Sequence, residues 1–129
     1  MKHSTAAWIE FAAKDLLAAK NLKKDETLAN ISCFHSQQTV EKSLKALLED
    51  QEIIPPKTHD LIRLYDMCRI DLDLEEDMLA QLNEVYLDSR YPITVGHLPT
   101  GFPAVDDAEV FYNFAETIHR QIKSFIESR

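Results

Sequence analysis

Glycine and proline are almost confined to two short stretches of this chain. The five prolines and two glycines fall at Pro55-Pro56 and between Pro92 and Pro103. Elsewhere the backbone lacks the two residues that most readily break a helix. It is rich instead in Ala, Leu, Glu, Lys and Gln, which lose little freedom on entering one. Long segments of this kind constrain the fold to helices packed on helices. At 129 residues the chain suits one domain, residues 1–129, with a real hydrophobic core. Its 45% hydrophobic and 28% charged content fits a globular rather than a disordered protein.

Apolar residues at three- and four-residue steps mark the individual helices. Trp8, Phe11 or Ala12, Leu16 and Ala19 define a first helix over 5–22, interrupted by Lys23-Lys24-Asp25-Glu26. A second, over 27–50, buries Ile31, Cys33, Phe34, Val40, Leu44, Leu47 and Leu48. Its polar strip of His35, Gln38, Lys42, Lys45 and Glu49 shares one face. The Pro55-Pro56 connector ends it, and Thr58 is placed to cap a third helix over 59–69. Asp73 with Glu76 and Asp106 with Glu109 have the spacing of capping boxes, opening a fourth and a fifth helix. The fifth carries the stripe Phe111, Phe114, Ile118, Ile122 and Phe125. The expected fold class is therefore all-α, an up-and-down bundle of about five helices with a long loop, 90–105, before the last. A loop of that length is uncommon in a compact domain and is either a crossover or functional.

The net charge of -8 repels a polyanion and argues against double-stranded DNA as a partner. No run approaches the roughly 18 apolar residues of a membrane span, and the start lacks the apolar run of a secretion signal. Cys33 and Cys68 lie inside helical patterns and read as buried thiols in a reduced, cytoplasmic setting. No Gly-rich phosphate loop, nucleophile elbow or zinc-ligand spacing occurs, and no metal or cofactor is expected.

The chemistry-bearing residues gather where the fourth helix runs into the loop, in Ser89-Arg90-Tyr91-Pro92-Ile93-Thr94-Val95-Gly96-His97. Arg90 is suited to hold a phosphate and His97 to move a proton near neutral pH. Tyr91 can stack on a base or hydrogen-bond the phosphate. Lys42 and Lys45 would widen a positive surface around Arg90 if the helices adjoin. The alternatives are structural: Arg90 as a helix-end or carboxylate partner, and Glu41–Lys45 as a supporting pair on a solvated face. A remote alternative is a metal-dependent phosphohydrolase of the HD type built on His35, His59-Asp60 and Asp106. His119 reads as a surface or edge residue, and Trp8 as a core or interface anchor.

The chain also resembles the HEPN domain family, named for higher eukaryotes and prokaryotes nucleotide binding. The likeness is carried by Trp8, Ala12 and Asp15-Leu16, by the run from His35 to Leu48, by His59-Asp60-Leu61, and by Ser89-Arg90-Tyr91-Pro92. The resemblance implies a helical bundle that pairs as a homodimer. It also implies a partnership with a minimal nucleotidyltransferase, in the manner of a toxin–antitoxin pair. Ribonuclease members carry an arginine followed closely by a histidine, and here six residues separate Arg90 from His97. The function it implies is engagement of RNA or a nucleotide, extending to metal-independent endoribonuclease activity at Arg90 and His97. A non-catalytic homodimeric interaction module is the competing expectation.

Overall fold

The computed structural model describes the backbone of residues 1–90 and 104–129, and the side chains of residues 1–86 and 104–129. These residues form five helices, α1 (His3–Leu22), α2 (Ala29–Asp50), α3 (Leu61–Cys68), α4 (Glu76–Arg90) and α5 (Val105–Glu127), and no strand. The all-helical bundle expected from the apolar stripes is the observed fold. Most of the expected 90–105 loop lies outside the described residues.

Helix α2 is central and packs against each of the other four. Residue pairings along it set the directions. Ser4 meets Glu49, Asp15 meets His35 and Ala19 meets Ser32, so α1 runs antiparallel to α2. Ser43 meets His119 and Asp50 meets Arg129, so α5 runs parallel to it. Helix α4 starts with Met78 near Phe114 and Thr117 and approaches its end with Tyr86 facing Phe34. It is therefore antiparallel to both α2 and α5. The four long helices alternate up and down, with the short α3 contacting α2 and α4.

The core joins Val40, Leu44, Leu47 and Leu48 of α2 to Leu61 and Leu64 of α3, Leu79, Leu82 and Val85 of α4, and Phe111, Ile118 and Ile122 of α5. Helix α1 meets this assembly through Ile9, Trp8 and Leu16 and, where Ala12 and Ala19 are fully buried, through small side chains. Small side chains let two helix axes approach closely. Ser32 then donates to the Ala19 carbonyl at 2.8 Å. At the C-terminal end of α1, just beyond Ala19, Lys23 bonds to Glu109 of α5 and lies over the Tyr112 ring.

Several local expectations need correction. Ala12 occupies the α1 stripe while Phe11 stays 51% exposed. Asp60, not Thr58, caps α3: its carboxylate accepts from the Ile62 and Arg63 backbone N–H groups, and Thr58 Oγ1 accepts from the Asp60 N–H. Asp73 does not box α4, because its backbone is bonded through both N–H and carbonyl to the Gln121 amide. At α5 the boxing carboxylate is Asp107, which accepts from the Ala104 N–H at 2.9 Å. The aromatic surplus of α5 is largely absorbed, with Phe111 buried and Phe114 and Phe125 packed on the core.

His119 is buried, not at the surface, with Nδ1 3.2 Å from Ser43 Oγ. Burial, and secondarily Lys123, depresses its pKa below 6.5, against a smaller opposing effect of Glu116. The unfolded chain then binds this proton more readily than the folded one, so stability falls as pH drops below about 6.5 towards the folded value. Asp15 titrates lower, with a carboxyl held below 3.8, so its loss of stability lies in a more acidic window. Urea midpoints are expected to fall between about pH 7.5 and about pH 5.5 in the wild type, and His119→Gln should flatten that slope. An unchanged slope in His119→Gln would refute the assignment.

Candidate functional site

Two polar clusters lie on the side of α2 that meets α1, α3 and α4. In the first, Asp15 of α1 receives His35 Nδ1 at 2.8 Å on one oxygen and Lys42 Nζ at 2.6 Å on the other. Burial opposes ionisation of Asp15, but the hydrogen bonds from His35 and Lys42 outweigh it and hold the carboxyl below its usual range. Lys42 therefore has a partner already, although part of its side chain remains open to solvent.

The second cluster centres on Glu41, which is only 3% exposed. Its Oε2 accepts from Lys45 Nζ at 3.1 Å. Its Oε1 lies 2.9 Å from His59 Nδ1 and accepts more weakly from the Gln37 and Gln38 amides, at 3.4 and 3.3 Å. Gln37 also donates to the His59 carbonyl at 3.2 Å, tying α2 to the start of α3. Lys45 is 7% exposed and its ammonium sits 5.5 Å from the Trp8 ring centroid. The expected solvated Glu41–Lys45 pair is thus a buried ion pair. The i,i+4 spacing is the same in either setting, so spacing alone does not distinguish them.

From this cluster the site extends to α4. The His59 ring stacks on Tyr86, with centroids 4.2 Å apart and planes 17° from parallel. Asn83, one turn earlier, accepts from the Leu61 N–H at 2.8 Å and donates to Asp60 at 3.3 Å. Positions 83, 86 and 90 share one face of a helix. Arg90 is the last residue of α4, four residues beyond Tyr86. The structure brings the start of α3 to the helix that ends at Arg90. Tyr91 and His97 lie outside the described residues.

The HD alternative does not assemble. Among the described residues no three His, Cys, Asp or Glu side chains converge as metal ligands. His35 is held by Asp15, His59 by Glu41, and Asp60 by its capping role, while Asp106 sits in the first turn of α5. Neither cysteine is suited to attack a substrate: burial, with Asp107 adding at Cys33, pushes both thiols up to about 12.

With this geometry in place, comparison with known proteins is decisive. The HEPN domain family model matches residues 5–125. The chain belongs to the HEPN family. Among solved structures, an archaeal HEPN homologue, ST0689, is 30% identical, covering 98% of this chain and 99% of that one with a TM-score of 0.70. TT1696 from Thermus thermophilus shares the fold, with a TM-score of 0.76 at 23% identity over 95% of this chain and 98% of that one. No curated protein matches. No helix among the described residues of this HEPN chain is long and apolar enough to cross a membrane.

Sequence reading missed the role of Glu41 and the His59–Tyr86 stack. A signal was available for His119, which continues the three- and four-residue steps of Ala115, Ile122 and Ile126. None was available for the stack, whose members are brought together only by α3 packing on α4. Removing one partner of a buried ion pair leaves an uncompensated charge and costs about 3–5 kcal/mol. Lys45→Met should therefore destabilise the protein by about 3 kcal/mol in urea unfolding. Adding Glu41→Leu to it should recover at least half of that loss; a double variant no more stable than Lys45→Met would contradict the pairing.

Proposed function

We propose that this HEPN protein engages single-stranded RNA through a phosphate site at the end of α4, and that Arg90 is its main phosphate ligand. The observation that supports the reading is the position of Arg90 as the last residue of α4, four residues after the Tyr86 that stacks on His59. Tyr91 and Lys42 flank it in the proposal. Lys45, buried against Glu41, keeps a structural role. The protein acts as a homodimer and works beside a minimal nucleotidyltransferase in a toxin–antitoxin-like pair, as the resemblance implies.

In the finer form of the proposal the protein is a metal-independent endoribonuclease. Cleavage without a metal needs charge compensation on phosphorus and proton transfer at the attacking and leaving oxygens. Arg90 supplies the first, and His97 from each of two chains contributes to the second. The acidic chain and the pairing of Lys42 with Asp15 favour a second reading, binding without cleavage.

Binding of a single-stranded RNA oligonucleotide, followed by fluorescence anisotropy, should weaken at least about tenfold in Arg90→Ala and should weaken with salt. Cleavage should persist in EDTA, disappear in Arg90→Ala and His97→Ala, and leave 2′,3′-cyclic phosphate ends. Light scattering should report about twice the monomer mass. Binding without cleavage supports the second reading, and wild-type protein that neither binds nor cuts RNA refutes both.

A further inference from the structure

We propose that two copies of this chain meet through the open side of α2, a face edged by Trp8 and Phe11 of α1 and, across α2, by His59 and Tyr86. The proposal rests on the reading that the protein is a homodimer, and it names the surface. Among the described residues, α1 touches α2 and α5 but neither α3 nor α4. A strip of α2 is therefore only half covered between them, and Phe34, Gln38 and Lys42 follow along it at four-residue steps, each half-buried. Contacts close a ring round this strip. Trp8 lies beside Lys45, Glu41 joins Lys45 to His59, and His59 stacks on Tyr86. Tyr86 faces Phe34, and His35 next to Phe34 leads back to Asp15 of α1. Phe11 stands on α1 between Trp8 and Asp15, and helix positions 8, 11 and 15 share one face.

The make-up of this face fits a second copy. Protein interfaces are enriched in aromatic side chains and depleted of net charge at their centre. Here Trp8, Phe34 and Tyr86 are half-buried, Phe11 is 51% exposed and the His59 side chain is 52% exposed. The charged groups of the ring are Asp15 with Lys42 and Glu41 with Lys45, two pairs that cancel. With histidine counted neutral, the net charge of -8 therefore lies wholly on the rest of the chain. Two such chains repel at long range, and a face whose charges cancel lets them close without setting like charges together. RNA is the poorer occupant, because both lysines are already held by carboxylates. A twofold contact presents each residue twice, so one substitution changes the interface at two places.

The test joins oligomeric state to the emission of Trp8, the single tryptophan of the chain. As wild-type protein is diluted and light scattering follows the loss of dimer mass, Trp8 emission should move to longer wavelength in step. Phe11→Glu, at an exposed position, should weaken the dimer at least about tenfold while leaving the circular dichroism spectrum unchanged. Phe11→Ser serves if the glutamate variant fails to fold. Leu17 is 58% exposed on the same helix, turned about 120° from Phe11, and Leu17→Glu should leave the dimer within about twofold of wild type. A dimer that separates with no change in Trp8 emission, that survives both Phe11 variants, or that is weakened equally by Leu17→Glu would overturn this surface and leave the homodimer standing. A dimer that survives Phe11→Glu while binding of a single-stranded RNA oligonucleotide falls would give the face to RNA instead. Wild-type protein of single-chain mass at every concentration removes the homodimer and the surface together.

Discussion

Helix α2 has neighbours along all of its length, so its polar groups must find partners inside the protein. Ser32, Gln37, Thr39, Glu41, Ser43 and Lys45 are all buried on it. An unmatched polar group in such a place costs about 1–3 kcal/mol, and an unmatched charge more. Most are therefore matched, and each match names a neighbour. Ser32 bonds to the α1 backbone, Ser43 to His119 of α5, and Gln37 to the backbone just before α3. An apolar stripe alone would let α2 rotate or slide by small amounts at modest cost. These directional bonds select one rotation and one register, and they hold the start of α3 where it meets α4.

The same constraint explains what could be read from the sequence. Helices α4 and α5 each face the core on one side, and their apolar stripes stand out at helical spacing. Helix α2 carries buried polar residues among its apolar ones, so its periodicity marks a helix without showing which polar residues face inward. Glu41 and Lys45 look like a surface pair for that reason. Caps are local choices among nearby residues: Asp60 caps α3 in place of Thr58, and the α5 box falls at Ala104 and Asp107 in place of Asp106 and Glu109, each a shift of two residues. Such shifts are within the uncertainty of helix ends.

For the proposed site, Arg90 stands out in the sequence because it lies at the end of a leucine-rich helix beside a Pro- and Gly-rich stretch. The His59–Glu41 pair does not, because its two members belong to different helical patterns and each has a local explanation. His59 reads as part of a helix start and Glu41 as half of an i,i+4 pair. Only the packing of α3 against α2 and α4 brings them together.

Electrostatics limits how strongly such a site can attract RNA. The chain carries a net charge of -8, and Lys42 and Lys45 are neutralised by Asp15 and Glu41. The C-terminal end of α4 adds the negative pole of a helix dipole, about half an elementary charge. That pole favours a cation at this position but subtracts from the attraction felt by a phosphate. A single chain therefore presents a weak, short-ranged positive site inside a repulsive field. In the proposed homodimer, two copies with their α4 ends adjacent would bring two arginines to one phosphate backbone. The proposed homodimer would supply a second Arg90 and so add to the small positive charge that one acidic copy offers a phosphate.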